Sequence, residues 1–320
     1  QVLEARRRVL GDEHPDTLEA MNNLARSMYF LGDFGGAKRL SEQVIKAGRR
    51  VLGAEHPYML NAMHNLANSI FSLGDREGAK KLQEQVLEAR RRVLGAEHPD
   101  TLRAMNNLAV SLSALGDYAG AKTLKEQVLE AMRRVRGTEH PDTLSAMHNL
   151  ANSMSDLGNF EGAKKLLEQV LEATQRVRGA EHPDTLSAMH NLATSMSGLG
   201  DFAGAKKLQE RVLEVRRRVL GAEHPDTLEA MNNLAGAMSD LGNFEGAKKL
   251  QDQVLEARRR VLGAEQPDTL TAMHNLAGSM SDLGDFEGAK KLQEQVLEAM
   301  RRVLGAEHPN TLSDMHNLAN

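Results

Sequence analysis

Histidine is the side chain in this sequence most suited to chemistry, and it recurs in a fixed pattern. Seven of the 12 histidines precede a proline, and five lie eight residues after that linker position, namely His64, His148, His190, His274 and His316. Zinc needs ligand atoms about 2 Å from the metal. Two such histidines in one copy lie about 80° apart around a helix, and equivalents in adjacent copies are separated by roughly 10 Å. We therefore expect no metal and no other cofactor.

Serine, histidine and aspartate also occur together, as in His148, Ser155 and Asp156, and these are the side chains of hydrolase triads. These residues belong to the repeated part of the sequence, and no residues suited to an oxyanion site accompany them. The chain has no cysteine and no phosphate-binding loop of the form G-x-x-x-x-G-K-[ST], which argues against thiolate catalysis and nucleotide hydrolysis. The sequence thus predicts a protein that is not an enzyme.

The charge balance indicates neither a nucleic acid nor a membrane as partner. Lys and Arg number 40 against 44 acidic residues, so the net charge is -4. The arginine runs at 6–8, 90–92, 216–218 and 258–260 are interspersed with glutamate, which favours solvated helix ends. No apolar run approaches the roughly 20 residues of a membrane span. Because the absence of cysteine suits a reducing compartment, we expect a cytoplasmic protein.

These side chains belong to a phrase, H-P-D-T-L-x-A-M-x-N-L-A, that returns every 42 residues. The full copies span 14–55, 56–97, 98–139, 140–181, 182–223, 224–265 and 266–307, and partial copies span 1–13 and 308–320. Such a period predicts a stack of one small unit. One unit cannot bury its apolar stripe alone, so we expect residues 1–320 to form a single array. The half-copies suggest an excised stretch of a longer array.

Each copy predicts two helices, as the third full copy shows. Helix A runs from Pro99 to about Leu115, with apolar residues three and four apart, and helix B from about Tyr118 to Arg136. Gly116 tolerates the left-handed backbone that closes a helix. The histidine before the proline is expected to cap helix A.

The order N-L-A, then L-G-[DN]-[FY], then G-A-K-K-L resembles the tetratricopeptide repeat. Ala25, Gly32, Phe34 and Ala37 match that family's small and aromatic positions. The 42-residue spacing is longer than the family's usual value of about 34. It is similar to the repeats of kinesin light chains and to sensor arrays of NLR-like ATPases. The resemblance implies an all-α, right-handed solenoid of paired helices that binds proteins or peptides.

Differences between copies concentrate on one face of helix A, which in this family lines a concave groove for extended peptides. Drift on a solvated face is the alternative. Every copy also has an asparagine beside this face, and the resemblance implies that it clamps a peptide main chain; an inter-helix hydrogen bond is the alternative. The candidate partner-binding residues are Asn22, Asn23, Arg26, Tyr29, Phe30, Asn61, His64, Asn65, Asn68, Phe71, Arg103, Asn106, Asn107, His148, Asn149, His190 and Asn191.

The aromatic residues favour the N-terminal end of the array as the binding site. Tyr29, Phe30, Tyr58 and Phe71 all lie in the first two full copies, outside the turn position that reads as core. Such rings can anchor an apolar side chain of a partner. The alternative is that they pack against a preceding repeat.

The function predicted from these patterns is a non-enzymatic scaffold that binds a protein or peptide along helix A. A second hypothesis is head-to-tail self-association, because residues 311–320 begin a helix A and residues 1–10 finish a helix B. A third hypothesis is that the array is the ligand-sensing region of a larger NLR-like ATPase.

Overall fold

The computed structural model describes residues 2–303, which form fifteen α-helices and no strand. The chain divides into two compact units, Gln1–Asn159 and Phe160–Asn320. The first unit contains α1 (Val2–Leu10), α2 (Pro15–Phe30), α3 (Phe34–Val51), α4 (Pro57–Ser72), α5 (Arg76–Leu94), α6 (Pro99–Ala114), α7 (Tyr118–Arg136) and α8 (Pro141–Asp156). The second contains α9 (Phe160–Arg178), α10 (Pro183–Gly198), α11 (Phe202–Leu220), α12 (Pro225–Asp240), α13 (Phe244–Leu262), α14 (Pro267–Asp282) and α15 (Phe286–Val303). The all-α prediction is confirmed.

The helices begin and end close to the positions predicted from the sequence. In the third full copy, α6 ends one residue before the predicted Leu115, and α7 has the predicted bounds. Gly116 has φ +84° and Gly137 has φ +88°, a backbone conformation that side chains other than glycine rarely adopt. Glycine therefore sets the length of both helices in this copy.

The linker histidines cap helix A, as predicted. The imidazole Nδ1 accepts the backbone N–H of the residue two positions on, at 3.1–3.2 Å, in His14, His56, His98, His140, His182 and His224. Proline follows at the first helical position, where its missing N–H leaves no bond unmade. Gln266 precedes α14 without a side-chain capping bond, and His308 lies outside the described residues.

Alkyl side chains from successive helical hairpins fill the interior of each unit. In the first unit, Leu18 and Met21 of α2 pack with Val44 of α3 and Ala62 of α4. In the second, Leu228 of α12 packs in one cluster with Val254 of α13 and Leu270 of α14. Burying a side chain of this size contributes about 1.5–3 kcal/mol. Each hairpin is thus stabilised by the one that follows it.

Ion pairs connect the end of helix B to the linker before helix A. The pairs are Arg50–Glu13, Arg92–Glu55 and Arg134–Glu97 in the first unit, and Arg218–Glu181, Arg260–Glu223 and Arg302–Glu265 in the second. Their side chains are all more than one third exposed, so each pair contributes at most about 1 kcal/mol. None of the helices within residues 2–303 has the length and apolar character needed to cross a membrane.

Candidate functional site

The first unit carries a groove of about 530 Å³ along the exposed faces of α2 and α4, with one residue from α6. Its lining residues are Glu19, Asn22, Asn23, Arg26, Tyr29, Phe30, Tyr58, Asn61, His64, Asn65, Asn68 and Arg103. Helical spacing brings them together, because residues three, four and seven apart share one face of a helix. All except Glu19 and Tyr58 belong to the candidate partner-binding residues named from the sequence, and Tyr58 was predicted there as a possible aromatic anchor.

Asn22 lies at the floor of the groove, and its amide makes hydrogen bonds to two residues of α4. The side chain is 6% exposed. Its Nδ2 donates to the backbone oxygen of Tyr58 at 3.1 Å, and its Oδ1 accepts from Asn65 Nδ2 at 2.8 Å. These bonds join α2 to α4. Asn22 therefore holds the groove floor together, with one amide N–H and its carbonyl oxygen used within the fold.

A second polar cluster connects α4 to α6. Asn107 Nδ2 lies 3.2 Å from Asn68 Oδ1 and 3.3 Å from His64 Nε2, and Asn68 Nδ2 lies 3.4 Å from the same nitrogen. Both amides offer N–H groups, so Nε2 accepts and the imidazole proton resides on Nδ1. At Asn65 and Asn107 the sequence had left two roles open, and the inter-helix hydrogen bond is present at both.

Burial and nearby cations keep His64 neutral. Desolvation lowers the pKa of the imidazole to about 4, with further lowering by Arg90 and Arg103 and an opposing effect of Asp100. The neutral ring matches its role as acceptor for two amides. His64 is therefore part of the groove wall at neutral pH.

Asn23 and Arg26 present uncommitted polar groups to the groove. Both side chains are exposed, and neither makes a hydrogen bond or ion pair with any other side chain or backbone group in residues 2–303. Glu19, in contrast, lies 3.7 Å from Arg6. An amide offers both a donor and an acceptor, which suits a peptide main chain.

An aromatic cluster forms the rim of the groove. The Tyr29 ring packs edge-on against Phe30, with ring centroids 5.8 Å apart, and lies 5.2 Å from Phe34. The Tyr29 hydroxyl accepts from Ser72 Oγ at 3.3 Å. Phe30 is 76% exposed. Tyr29 is thus held in place, whereas Phe30 offers most of its ring to solvent.

Arg90 corrects the interpretation of the arginine runs as solvated helix ends. It is the first residue of the run 90–92, yet it is only 1% exposed. Its guanidinium lies between α4 and α6, donating to Asn61 Oδ1 at 2.8 Å and to the backbone oxygen of Asp100 at 3.0 Å. The sequence contained one signal that this position differs from a solvated helix end. The residue type varies here, since Gly48, Met132 and Thr174 occupy the position in other copies.

The other candidate residues do not line this groove. Phe71, Asn106 and His148 are half-buried, and Asn149 is exposed, elsewhere in the first unit. His190 and Asn191 belong to the second unit, where His190 Nδ1 lies 2.9 Å from Gln209 Nε2. Residues 2–303 contain no group of three His, Cys, Asp or Glu placed to hold a metal. His316 lies outside the described residues.

Models of one protein family match the sequence from residue 1 to residue 320. Tetratricopeptide repeat models match residues 1–16, 17–58, 58–134, 108–173, 142–213, 197–260, 232–301 and 268–320. None of the curated proteins compared with the chain matches it.

Three solved structures illustrate the similarity. The nearly identical TPR-like repeats of a putative kinesin light chain from Podosopora anserina are 31% identical, with 65% of this chain and 99% of that chain covered and a TM-score of 0.56. NprR in complex with its cognate peptide NprX is 14% identical, with coverage of 96% and 84% and a TM-score of 0.57. A signal transduction ATPase from Pyrococcus horikoshii with a tetratricopeptide repeat sensor is 14% identical, with coverage of 95% and 44% and a TM-score of 0.60. The last two show a shared fold alone.

Proposed function

Because this chain belongs to the tetratricopeptide repeat family, we propose that it is a scaffold whose first unit binds a peptide segment of a partner protein. Such repeats generally mediate protein–protein interaction, and one similar structure, NprR, holds its cognate peptide. The observation on which this proposal rests is the groove of about 530 Å³. Asn23, Arg26 and Phe30 lie on its surface, where their side chains remain available to a ligand. This volume lies within the range of about 300–1,000 Å³ of ligand sites.

Each part of the groove has a role in this proposal. The Asn23 amide pairs with the main chain of the peptide, since it offers a donor and an acceptor. Phe30 and Tyr29 cover an apolar side chain of the peptide, and Tyr29 is already fixed by Ser72 and Phe34. Aromatic anchors of this kind dominate the binding energy of many interfaces. Asn22, Asn65 and Asn107 keep the helices in register.

We propose no catalytic role for the chain. The family and its structural neighbours are generally non-catalytic scaffolds. The groove histidine is neutral and accepts hydrogen bonds from two amides, which leaves it unsuited to abstract a proton from a substrate. In a larger signalling ATPase, the same groove would be the sensing surface.

A second candidate function is head-to-tail self-association. Leu24 is 41% exposed, whereas the equivalent Leu108 and Leu150 are 6% and 7% exposed. Leu24 also lines a cavity of about 610 Å³ with Val2 and Leu3 of α1. The complementary surface in this hypothesis involves residues 311–320, which lie outside the described residues. Sedimentation velocity tests it, because a strict monomer at high concentration contradicts the hypothesis.

The scaffold proposal is tested with peptides selected on the full chain from a random 12-residue library. Titration of the tightest fluorescein-labelled peptide measures Kd for the native chain and its variants. Phe30→Ser, the residue found at the equivalent Ser72, should weaken binding about tenfold, because an aromatic anchor is removed. Asn23→Ala should also weaken binding, whereas Asn275→Ala, its counterpart in the second unit, should leave Kd unchanged.

Two results would contradict the proposal. In the first, the selection on the full chain yields no peptide. In the second, the selected peptide binds Phe30→Ser and Asn23→Ala with the same affinity as the native chain. Loss of binding through unfolding is recognised by helical circular dichroism of each variant.

A further inference from the structure

Lys125 is a lysine at a position where every other full copy has an uncharged residue. The equivalents are Ser41, Gln83, Leu167, Gln209, Gln251 and Gln293. The position lies between packed helices, because Gln83, Gln209 and Gln251 are 5%, 4% and 8% exposed. Lys125 itself is half-buried. An amine thus occupies a site where the repeat otherwise buries an amide, a hydroxyl or an alkyl group.

The direct partner of the Lys125 side chain is neutral. Its Nζ donates to Ser153 Oγ at 2.6 Å, which connects α7 to α8, and Ser153 is fully buried. No carboxylate in residues 2–303 forms an ion pair with Lys125. In contrast, Lys122, three residues earlier in α7, pairs with Glu126 at 3.2 Å. A hydroxyl supports a positive charge less than a carboxylate does.

Burial without a paired carboxylate favours the unprotonated amine. Burial lowers the pKa of Lys125, and Asp156, which is exposed at the end of α8, opposes this effect. The unprotonated amine is the nucleophilic form of lysine, and desolvation is one of the ways in which proteins activate it. Because the side chain is only partly buried, a small electrophile can reach it from solvent.

We propose that Lys125 is an acylation site of the chain, with a small acyl phosphate as the acyl donor. The nitrogen attacks the carbonyl carbon, and a C–N bond forms as the C–O bond to phosphate breaks. Phosphate leaves, and the proton lost by the amine passes to water. The product is a neutral secondary amide. This inference goes beyond the proposed function and does not depend on peptide binding.

The fold accommodates a side chain with the chemistry of this product. A neutral amide occupies the equivalent position in Gln83, Gln209 and Gln251. An acylated Lys125 keeps one N–H, so it can still donate to Ser153. Acylation therefore removes the positive charge near Asp156 and leaves the contact between α7 and α8 in place.

The experiment treats the full chain with acetyl phosphate at pH 8 and follows each lysine by mass spectrometry after proteolysis. Lys125 should be acetylated about five times faster than Lys122, which lies on the same helix and is paired with a carboxylate. In concentrated urea the two rates should become equal, because both environments are lost. Circular dichroism should show the same helix content before and after acetylation.

Two variants distinguish an activated amine from one that is merely accessible. Asp156→Asn removes the carboxylate that favours the ammonium form, so it should roughly double the rate at Lys125. Ser153→Ala removes the hydroxyl acceptor and should also raise this rate. The equivalent residue Ala237 shows that the repeat tolerates alanine there. Neither variant should change the rate at Lys122, which is the internal control.

Three results would overturn the inference. In the first, Lys125 reacts no faster than Lys122 in the folded chain. In the second, the difference between the two lysines persists in urea. In the third, Asp156→Asn leaves the rate at Lys125 unchanged. Asp156 is exposed, so this variant keeps the test valid even if circular dichroism shows that Ser153→Ala does not fold.

Discussion

Gln266→His should stabilise the second unit by restoring a missing helix cap. Six described linker histidines accept a backbone N–H at 3.1–3.2 Å, whereas Gln266 makes no side-chain capping bond. The backbone at Gln266 has φ -72° and ψ 143°, close to φ -64° and ψ 139° at His224. The substituted imidazole therefore enters the same geometry without a change of backbone. The N–H of Asp268 gains a partner.

The expected gain in the free energy of unfolding is the contribution of one helix N-cap. Replacing a good N-cap residue costs about 0.5–2 kcal/mol, with a typical value of about 1 kcal/mol. For a urea slope of about 1–3 kcal/mol/M, 1 kcal/mol moves the unfolding midpoint by roughly 0.3–1 M. His224→Gln is the reverse experiment and should lower the midpoint by a similar amount.

Urea unfolding of the full chain, followed by helical circular dichroism, measures these shifts, and hydrogen exchange at the Asp268 amide localises them. The cap requires a neutral imidazole, because a protonated ring cannot accept at Nδ1. The gain of Gln266→His is therefore measured at pH 8. An unchanged midpoint refutes the role assigned to the linker histidines.

Three further predictions concern contacts described above. Asn22→Ala should destabilise the first unit by about 1–3 kcal/mol in urea unfolding, because it leaves buried partners unpaired, whereas Asn23→Ala should leave the midpoint unchanged. Glu223→Gln should cost at most about 1 kcal/mol at low salt, and the difference should vanish in 1 M NaCl because the pair with Arg260 is exposed. His64 should titrate near pH 4 by NMR; titration near the ordinary value would mean that the ring is solvated.

The sequence contained most of the information about the fold, because the determinants are local and repeated. The glycines at positions such as 116 and 137 limit the helices, and proline with histidine starts them. Apolar spacing then identifies the buried stripe, as at Leu102 and Met105, which are 2% and 3% exposed. Each of these signals operates within a few residues, so it can be read without the three-dimensional structure.

The candidate site was only partly predictable, because its determinants lie between helices. Periodicity placed Asn22 and Asn23 on the same side of α2, but only packing shows that Asn22 is buried and Asn23 exposed. The sequence of the arginine run 90–92 does not distinguish its three members. In the structure, the Arg90 side chain lies between α4 and α6, whereas Arg91 and Arg92 are exposed to solvent. The sequence identified Tyr58 as an aromatic residue. Its position beside Asn22 depends on how α2 and α4 pack against each other.

The central claim is that a partner peptide binds along α2 and α4. Hydrogen–deuterium exchange of the full chain, with and without a saturating selected peptide, tests it most directly. We expect slower exchange in residues 15–30 and 57–72 and no change in the equivalent segments 183–198 and 225–240. Protection confined to the second unit, or no protection in α2 and α4 despite saturation, would contradict the account.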